Sequence, residues 1–301
     1  MGNMLYNVMD NYYIKRIRDM KKTFVLYNPL SCNGQGKEEA KALDALLAGE
    51  TLEYVDVCEI NDYAEFFAGV TGEDKLVLCG GDGTINQFVR RVGDAMPDRE
   101  IYYFATGTGN DFWTELGRKK GDAPVDIAPY LKGLPTVTVK GETYPVLNGV
   151  GFGIDGYCCE IGDQKRAAGV KKINYAGIAV SGLLFHYPPK NATVIVDGKE
   201  YTFQKVWIAP TMYGKYYGGG MNPAPNQVRG NGKVSVVVMH KKGRLGTLLI
   251  FPSIFKGEHV KHTDAVAVME GKEITVKFDK PAPLQIDGET ILNVSEYTVK
   301  I

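Results

Sequence analysis

The sequence predicts two domains, an α/β domain with a mainly parallel sheet followed by an all-β domain of the sandwich type. Strands and helices alternate strictly over the first half of the chain, which is the pattern of βαβ units. Short runs of alternating apolar and polar residues, separated by Asp-Gly and Glu-Gly pairs, fill the second half. A chain of 301 residues with 44% apolar residues can bury a core in each part.

The predicted domain boundaries follow from this change of pattern near residues 133–137. Residues 1–19 precede the first strand and are expected to be an N-terminal extension. Residues 20–135 form the α/β domain. Residues 136–301 form the β domain, and the return of its last residues to the first domain is an open alternative.

The first half contains four predicted strand–helix pairs. The strands are 22–29, 52–60, 74–81 and 100–106, and the helices are 37–49, 61–70, 84–96 and 110–117. Gly49 and Gly117 end two of these helices, and Asn61 is the expected N-cap of another. Ligands of such sheets bind at the carboxyl ends of the strands, so the loops that follow the strands are the candidate site.

The second half contains five predicted β segments and two helical interruptions. The β segments are 136–152, 192–210, 232–240, 265–278 and 283–301. Hairpin turns are predicted at Asp197–Gly198, Glu270–Gly271 and Asp287–Gly288. The helical segments cover about 163–187 and about 243–257.

Composition excludes several classes of protein. The 35 basic residues balance 35 acidic ones, which argues against a general nucleic-acid binder. Five cysteines without regular spacing suggest reduced thiols, and the N-terminus lacks the continuous apolar core of a signal peptide. No apolar run reaches the roughly 18 residues that a membrane span needs. We therefore expect a cytoplasmic protein.

A glycine-rich turn follows the third strand, where residues 79–86 read CGGDGTIN. Gly80, Gly81 and Gly83 leave main-chain N–H groups bare at the start of a helix, an arrangement that binds phosphate. Thr84 and Asn86 add side-chain donors. Asp82 repels phosphate, but it can hold a magnesium shell or act as a base beside the phosphates. The alternative is a tight surface turn with an incidental acid.

Two further polar loops follow the first and fourth strands. TGTGND (106–111) offers Gly107 and the hydroxyls of Thr106 and Thr108, and Thr108 with Asp111 forms a weak capping box. An ordinary helix cap is the alternative for this loop. NPLSCNGQG (28–36) is the third loop and is not a Walker motif. Three such loops at one sheet edge predict that the triphosphate of a nucleotide binds there.

These residues resemble the diacylglycerol-kinase catalytic family, the soluble bacterial lipid kinases related to sphingosine and ceramide kinases. The matching motifs occur in the order of the family: NPLSCNGQG, GGDGTINQFV, GTGNDF, NGVGFGIDGY, INYAGI, YGKYYGGGMNPAP and LQIDGE. GGDGT alone also fits NAD kinases. The resemblance implies an NAD kinase/diacylglycerol kinase-like nucleotide-binding α/β domain, followed by a β-sandwich that carries the lipid site.

The resemblance also implies roles for individual residues. ATP binding falls to the three loops, with these candidates: Asn28, Pro29, Ser31, Asn33, Gly34, Gly36, Gly80, Gly81, Asp82, Gly83, Thr84, Asn86, Thr106, Gly107, Thr108, Asn110 and Asp111. An acid of the late D-G-E motif accepts the proton of the lipid hydroxyl, so the catalytic candidates are Glu289 and Asp287, together with Asp82. We prefer Glu289 as the base and Asp287 as the residue that shapes the loop or the metal shell. Without the resemblance, Asp287–Gly288–Glu289 would be an ordinary type I′ hairpin.

The chain departs from the family pattern in PAPNQVRGNGKVSV. Asn231 stands where the family has an aspartate linked to a metal. The candidate metal ligands are therefore the Asn231 amide and the backbone carbonyls of Val228 and Lys233, a weaker set for a hard cation. His259 and His262 are expected in a solvated loop, because further metal ligands are lacking.

The sequence as a whole predicts an ATP- and Mg²⁺-dependent lipid kinase of phospholipid metabolism that is peripheral to the membrane. Its acceptor is expected to be diacylglycerol or a related lipid. The apolar segments 173–187 and 245–255 form the lipid pocket or are simply core helices, and Lys171, Lys172, Lys241, Lys242 and Arg244 flank them. An NAD kinase-like enzyme and a non-catalytic nucleotide- or lipid-binding regulator are the alternatives. A homodimer is left open.

Overall fold

A computed structural model of the chain describes residues 21–107, 109–170 and 173–301. The predicted extension 1–19 lies outside the described residues, as do Thr108, Lys171 and Lys172. The described chain divides into two compact units. The first comprises residues 21–80, 94–106 and 121–128, and the second comprises residues 81–93, 107–120 and 129–301.

The first unit is built on a five-stranded sheet. Its strands are β1 Lys22–Tyr27, β2 Thr51–Asp56, β3 Lys75–Gly80, β4 Tyr102–Ala105 and β5 Val125–Asp126. The order is β2-β1-β3-β4-β5, with β1 to β4 parallel and β5 antiparallel to β4. The mainly parallel sheet is confirmed. The prediction omitted β5, because two residues are too few to show a periodic pattern.

Three short helices accompany this sheet, α1 Gly36–Ala40, α2 Leu43–Leu46 and α3 Tyr63–Ala68, with 3₁₀ turns at Ser31–Gly34 and Gly93–Ala95. The helix predicted over 37–49 is thus broken between α1 and α2. Ala40 and Leu43 are both buried on the same core, so the apolar spacing continues across the break and conceals it. Asp62, rather than Asn61, caps α3, and its carboxylate accepts hydrogen bonds from Ala64 N at 2.7 Å and Glu65 N at 3.2 Å.

The second unit contains the remaining elements, apart from the first residue of α6. Its helices are α4 Asp82–Val92, α5 Asp111–Glu115, α6 Ala128–Leu131, α7 Ile154–Ala167, α8 Tyr175–Ser181 and α9 Arg244–Ile250. A π-helical turn covers Gly182–His186, and 3₁₀ helices cover Phe251–Lys256 and Glu258–Lys261. The strands are β6 Thr136–Val139, β7 Glu142–Pro145, β8 Gly149–Gly153, β9 Lys190–Val196, β10 Lys199–Val206, β11 Ile208–Met212, β12 Val234–Met239, β13 Val266–Gly271, β14 Glu273–Ile286 and β15 Glu289–Lys300.

All strand pairs of the second unit are antiparallel. The main path runs β13-β12-β11-β8-β14-β15-β6-β7, and β9 pairs with β10 and β14. The long strand β14 is shared by two parts of the sheet, because residues 274–278 pair with β9 and residues 284–286 pair with β8. Residues from both parts, including Val194, Val236 and Val299, pack in one core. The predicted fold class is confirmed.

Two of the three predicted hairpins are confirmed. Asp197–Gly198 and Asp287–Gly288 are two-residue turns with left-handed φ angles of 47° and 82°, and 49° and 92°. The hairpin at Glu270–Gly271 is wrong, because β13 pairs with β12 and Gly271 belongs to the strand. A Cβ on Gly271 would lie 2.6 Å from Val196 Cγ1, so close packing explains this glycine. Lys140–Gly141 forms a hairpin that the prediction omitted.

The first helical interruption starts earlier than predicted, at Ile154 rather than near residue 163. Gly153, with φ of 116°, makes the sharp turn from β8 into α7. His259 is buried and its Nε2 lies 2.9 Å from the Pro223 carbonyl oxygen, so the expectation of a solvated loop is wrong for His259, whereas His262 is exposed. Within the described residues, no helix is both long enough and apolar enough to cross a bilayer.

Candidate active site

The turn that leads from β3 into α4 is shaped by its close approach to the second glycine loop. A Cβ on Gly81 would lie 2.7 Å from the carbonyl oxygen of Gly109, so a larger residue does not fit. The main-chain N–H of Asp82 donates to that oxygen at 3.0 Å. By contrast, a Cβ on Gly83 or Gly109 would meet no atom within 4 Å, and both glycines line a cavity. Their main chain is therefore accessible to a ligand.

The carboxylate of Asp82 caps the next helix. It accepts hydrogen bonds from Asp111 N at 2.7 Å and Phe112 N at 3.2 Å, at the start of α5. Burial, reinforced by the neighbouring negative charge of Asp111, raises the pKa of Asp82 to about 8. Asp82 therefore holds a proton more readily than an exposed aspartate does. The predicted capping box cannot be assessed, because Thr108 lies outside the described residues.

Asp111 in turn fixes the loop YYGGGM. Its two carboxylate oxygens accept hydrogen bonds from Gly219 N at 2.8 Å and Gly220 N at 2.7 Å. Gly218, Gly219 and Gly220 have φ angles of 64°, 82° and 102°, which side chains of L residues rarely adopt. Burial raises the pKa of Asp111, while the two N–H donors oppose that rise.

Asp287 lies in the two-residue turn between β14 and β15, and main-chain donors surround its carboxylate. Leu147 N and Asn148 N donate to it at 2.7 Å, and Gly149 N donates at 2.9 Å. The side-chain amide of Asn86 donates at 3.2 Å and connects helix α4 to the same group. Although the residue as a whole is half-buried, these groups enclose the carboxylate. Desolvation raises its pKa, and the main-chain donors oppose that rise.

Glu289 has a different environment from Asp287. Its carboxylate forms an ion pair with Arg90 of α4, and the Arg90 guanidinium lies 4.6 Å from the ring centroid of Tyr144. Asp287 is among the residues that line the cavity, whereas Glu289 is not. The structure therefore brings Asp82, Asp111 and Asp287 to one cavity and pairs Glu289 with a cation beside it.

The cavity has a volume of about 610 Å³ and lies entirely within the second unit. Turns that carry Asp82, Asp111 and Asp287 form one part of its lining. Apolar side chains form another part, and Ile154, Ala179, Met221 and Phe251 belong to a single apolar cluster. This volume is ordinary for a small-molecule site, and the lining suits a molecule with a polar and an apolar part.

A second buried carboxyl group, Asp155, also lines the cavity. Burial raises its pKa to about 7. The amide of Gln285 and the hydroxyl of Tyr217 are near enough to stabilise its charge, but within the described chain neither makes a hydrogen bond of ordinary geometry with it. A Cβ on Gly151 would lie 1.7 Å from Asp155 Oδ2, so that glycine makes room for the carboxyl group. Asp155 and Gln285 thus place buried polar atoms without hydrogen-bond partners, within the described chain, at the wall of the cavity.

The loop after β1 belongs to the first unit and is tightly wound. Cys32 and Asn33 have left-handed φ angles of 53° and 57°, and Ser31 Oγ donates to the Asn28 carbonyl oxygen at 2.8 Å. A Cβ on Gly36 would lie 1.9 Å from that same oxygen, which requires glycine. Within this unit the hydroxyl of Thr106 is buried and has no hydrogen-bond partner among the described residues.

The predicted binding residues fall in both units. Asn28, Pro29, Ser31, Asn33, Gly34, Gly36, Gly80 and Thr106 lie in the first, and Gly81, Asp82, Gly83, Thr84, Asn86, Gly107, Asn110 and Asp111 lie in the second. Of the latter group, Asp82, Gly83 and Asp111 line the cavity. Asn110 donates through its amide to the Gly107 carbonyl oxygen at 2.6 Å.

The predicted metal ligands do not fit a cation. The side-chain amide of Gln227 donates to the carbonyl oxygens of Lys233, at 2.9 Å, and Val228, at 3.4 Å. Asn231 Oδ1 accepts the N–H of Lys233 at 2.9 Å. These contacts argue against a metal site at Val228, Asn231 and Lys233, because protein donors already reach all three oxygens. In the described part of the chain, no group of three or more His, Cys, Asp or Glu residues could hold a metal ion.

Sequence reasoning missed an ion pair that supports the Asp287 turn. Arg229 pairs with Glu115 at 2.7 Å, and both side chains are buried. The guanidinium also contacts Asn148 Oδ1 at 3.0 Å and the Leu147 carbonyl oxygen, so it holds two of the residues that donate to Asp287. The sequence gives no local signal for this pair, because its partners are 114 positions apart. Asp155 could have been noted, since it lies in the quoted motif NGVGFGIDGY.

A mainly parallel sheet whose third strand leads into a GGDGT turn, together with an antiparallel unit that carries a DGE hairpin and a partly apolar cavity, fits a class of phosphotransferases, the lipid kinases. Comparison with protein families agrees with this class. Residues 22–137 match the diacylglycerol kinase catalytic domain, and residues 148–298 match the YegS C-terminal NAD kinase beta sandwich-like domain. The chain belongs to the diacylglycerol kinase catalytic family.

Individual relatives are distant but match over most of the chain. A diacylglycerol kinase from Mycobacterium tuberculosis is 24% identical over 275 residues, which is 87% of each chain. The crystal structure of a diacylglycerol kinase from Bacillus anthracis has a TM-score of 0.58 at 18% identity and covers 94% of this chain and 95% of that one. Another solved chain from that organism has a TM-score of 0.65 at 19% identity and covers 92% and 91%. These structural matches support the fold.

Proposed function

We propose that this kinase transfers the γ-phosphoryl group of ATP to a hydroxyl group of diacylglycerol or a closely related lipid. One observation carries the proposal. A single cavity of about 610 Å³ joins the carboxyl groups of Asp82, Asp111 and Asp287 to an apolar lining from α7, α8 and the 3₁₀ helix after α9. A lipid could place its hydroxyl among the carboxyl groups and its chains among the apolar side chains.

We assign Asp287 as the base that accepts the proton of the acceptor hydroxyl. Its carboxylate faces the cavity, and three main-chain N–H groups together with Asn86 hold it in one orientation. Desolvation raises its pKa, which makes it a stronger base than an exposed aspartate. Glu289, the base preferred from the sequence, is paired with Arg90, and we assign it the task of holding α4 beside the turn.

The nucleotide would be held by main-chain groups and hydroxyls. Gly83 and Gly109 of the second unit expose main chain to the cavity. The raised pKa of Asp82 favours its neutral form, which reduces repulsion of an anionic phosphate. Bound ATP with Mg²⁺ would supply the phosphoryl group and the cation that neutralises its charge. The loop 28–36 keeps its predicted role in binding phosphate.

Asp155 and Gln285 support a lipid with more than one polar group. Both line the cavity, and both retain unused hydrogen-bonding atoms within the described chain. A pKa of about 7 allows the Asp155 carboxyl to donate to an ester carbonyl or accept from a hydroxyl. NAD has no long apolar part to fill the rest of the lining, which disfavours an NAD kinase.

The cavity lies beside an exposed apolar surface, which we propose to be the face that meets the membrane. Leu249 is 84% exposed, Leu245 is 72% exposed and Phe185 is 71% exposed. Val180 and Phe255 are exposed apolar residues that also line the cavity. Lys241 and Arg244 precede Leu245 in the sequence and can meet anionic headgroups.

The decisive experiment is a phosphorylation assay with a panel of acceptors. Purified protein is incubated with γ-labelled ATP, Mg²⁺ and mixed micelles of diacylglycerol, monoacylglycerol, ceramide or sphingosine, with NAD in a parallel reaction. We expect label in diacylglycerol or a related glycerolipid and none in NAD. Label in NAD alone would support the NAD kinase alternative. Binding of ATP and lipid without transfer would support the regulator. Asp287→Asn serves as the matched inactive control.

A further inference from the structure

The loop of residues 224–235 is held by hydrogen bonds to one of its own side chains, that of Gln227. Gln227 is buried, with 1% of its surface exposed. Its Nε2 donates to the carbonyl oxygens of Lys233 and Val228, and its Oε1 accepts the hydroxyl of Ser235 at 2.5 Å. One amide group therefore bridges three points of the loop.

The orientation of this amide follows from its partners. Two carbonyl oxygens face one end of the side chain, and carbonyl oxygens only accept hydrogen bonds. The NH₂ group must point at them, because the amide oxygen in that place would repel both. The Ser235 hydroxyl satisfies the other end.

We propose that the Gln227 amide takes the place of a bound cation in this loop, so that the chain folds and holds the loop without a metal ion. The resemblance described above places a metal at Val228, Asn231 and Lys233. The NH₂ group of the amide already donates to the carbonyl oxygens of Val228 and Lys233. The main-chain N–H of Lys233 donates to the side-chain oxygen of Asn231.

The charge of the loop agrees with this assignment. Residues 224–233 read APNQVRGNGK and contain Arg229 and Lys233 but no acid. Hard cations such as Mg²⁺ and Ca²⁺ are held mainly by carboxylates. The Glu115 carboxylate is already paired with Arg229, and the positive charge of Lys233 opposes the binding of a cation. A neutral amide meets the same carbonyl oxygens without that repulsion.

The loop matters to the site because it carries Arg229. The Arg229 guanidinium contacts the Leu147 carbonyl oxygen and Asn148 Oδ1, and the N–H groups of those two residues hold the Asp287 carboxylate. The inference depends only on the loop and is tested without nucleotide or lipid. Its failure is therefore distinguishable from failure of the proposed function.

The test is thermal unfolding of the full chain with EDTA, with millimolar Mg²⁺ and with millimolar Ca²⁺. We expect the wild-type Tm to be the same in all three. Gln227→Glu puts carboxylate oxygens against the two carbonyl oxygens, so its Tm in EDTA should fall by several degrees and recover when either cation is added. Gln204→Glu, an exposed change of the same charge, is the matched control and should not respond.

Two results would overturn the inference. One is a wild-type Tm that falls in EDTA, provided that Asn231→Ala abolishes the fall. The other is a Gln227→Glu variant whose Tm equals that of Gln204→Glu with and without cations. The wild-type measurement requires no variant, so it decides the question even if Gln227→Glu does not fold.

Discussion

The carboxylate of Asp82 accepts a hydrogen bond from the main-chain N–H of Asp111 at 2.7 Å. The acid of the GGDGT turn therefore caps the helix that begins at Asp111, within the GTGNDF segment. Asp111 uses its own carboxylate to hold Gly219 and Gly220. Two acids thus connect three segments that lie far apart in the sequence. Replacing either acid should affect the geometry of all three.

Asp82→Asn should lower kcat about 10²-fold or more while the fold survives, because weaker capping of α5 displaces Asp111 and the groups that it positions. The amide oxygen can still accept one of the two N–H groups, so the cost in stability should be about 1 kcal/mol. Steady-state kinetics and thermal unfolding of the same preparations measure the two effects. A variant with nearly normal kcat would remove Asp82 from the mechanism.

The pH dependence of stability should reveal the raised pKa of Asp82. Its pKa is about 8 in the folded chain and 3.8 in an unperturbed aspartate, so between these values the folded state holds a proton that the unfolded state has lost. This group therefore contributes less stability as pH rises from about 4 to about 8. In Asp82→Asn the fall should be shallower, as measured by urea unfolding at several pH values. Parallel curves for the two proteins would contradict the pKa shift.

Asp287→Asn and Glu289→Gln should differ in effect. If Asp287 accepts the proton of the lipid hydroxyl, its amide variant loses roughly 10²- to 10⁴-fold in kcat with little change in KM for ATP. Glu289→Gln weakens the contact with Arg90, so it should lower kcat less than Asp287→Asn does. The kcat of Glu289→Gln should be similar to that of Arg90→Lys. The reverse ranking would restore Glu289 as the base.

Arg229→Ala should be strongly destabilising because it leaves Glu115, which is 9% exposed, without its cation. Breaking a buried pair of this kind costs about 3–5 kcal/mol. Arg229→Lys retains the charge but loses the forked contacts to Asn148, so it should keep more stability than activity. Urea unfolding and kcat are measured for both variants. If Arg229→Lys loses stability but no activity, the residue does not position the Asp287 turn.

The double variant Leu245→Ser/Leu249→Ser should bind lipid vesicles more weakly than the wild type. Both side chains are largely exposed and lie four positions apart on α9, so they face the same direction. Co-sedimentation with vesicles that contain anionic lipid measures the change, and Leu46→Ser in the first unit is the control for an exposed leucine. Phosphorylation of a short-chain, dispersed diacylglycerol should be less affected than that of vesicle lipid. Equal binding by all three proteins would exclude this surface.

The sequence was sufficient for the elements that have a regular pattern. The buried runs of β1 and β3 predicted the parallel sheet, and Asp197–Gly198 and Asp287–Gly288 predicted two hairpins, because those signals are local. Gly271 resembled a turn residue, but the position requires glycine because Val196 packs closely against it. Close packing of this kind depends on contacts that the spacing of residues does not reveal.

The site was predictable in its acids but not in their partners. Asp82 and Asp287 were identified from short motifs. The main-chain donors to Asp287 lie 138 to 140 positions away in the sequence. Gln227 bridges the loop in which the motif predicted a metal site. Hydrogen bonds between distant segments form only in the folded chain. The sequence therefore suggested the candidate acids but not the groups that hold them.

The division of the chain bears on how this kinase can be dissected in the laboratory. Residues 81–93 and 107–120 are encoded in the first half of the chain but belong to the second compact unit. A fragment cut near residue 135 would separate Asp111 from Gly219 and Gly220, and it would separate Asn86 and Arg90 from the hairpin that they contact. Isolated halves are therefore unsuitable for measuring ligand affinity, and crystallography should use the chain with both halves present.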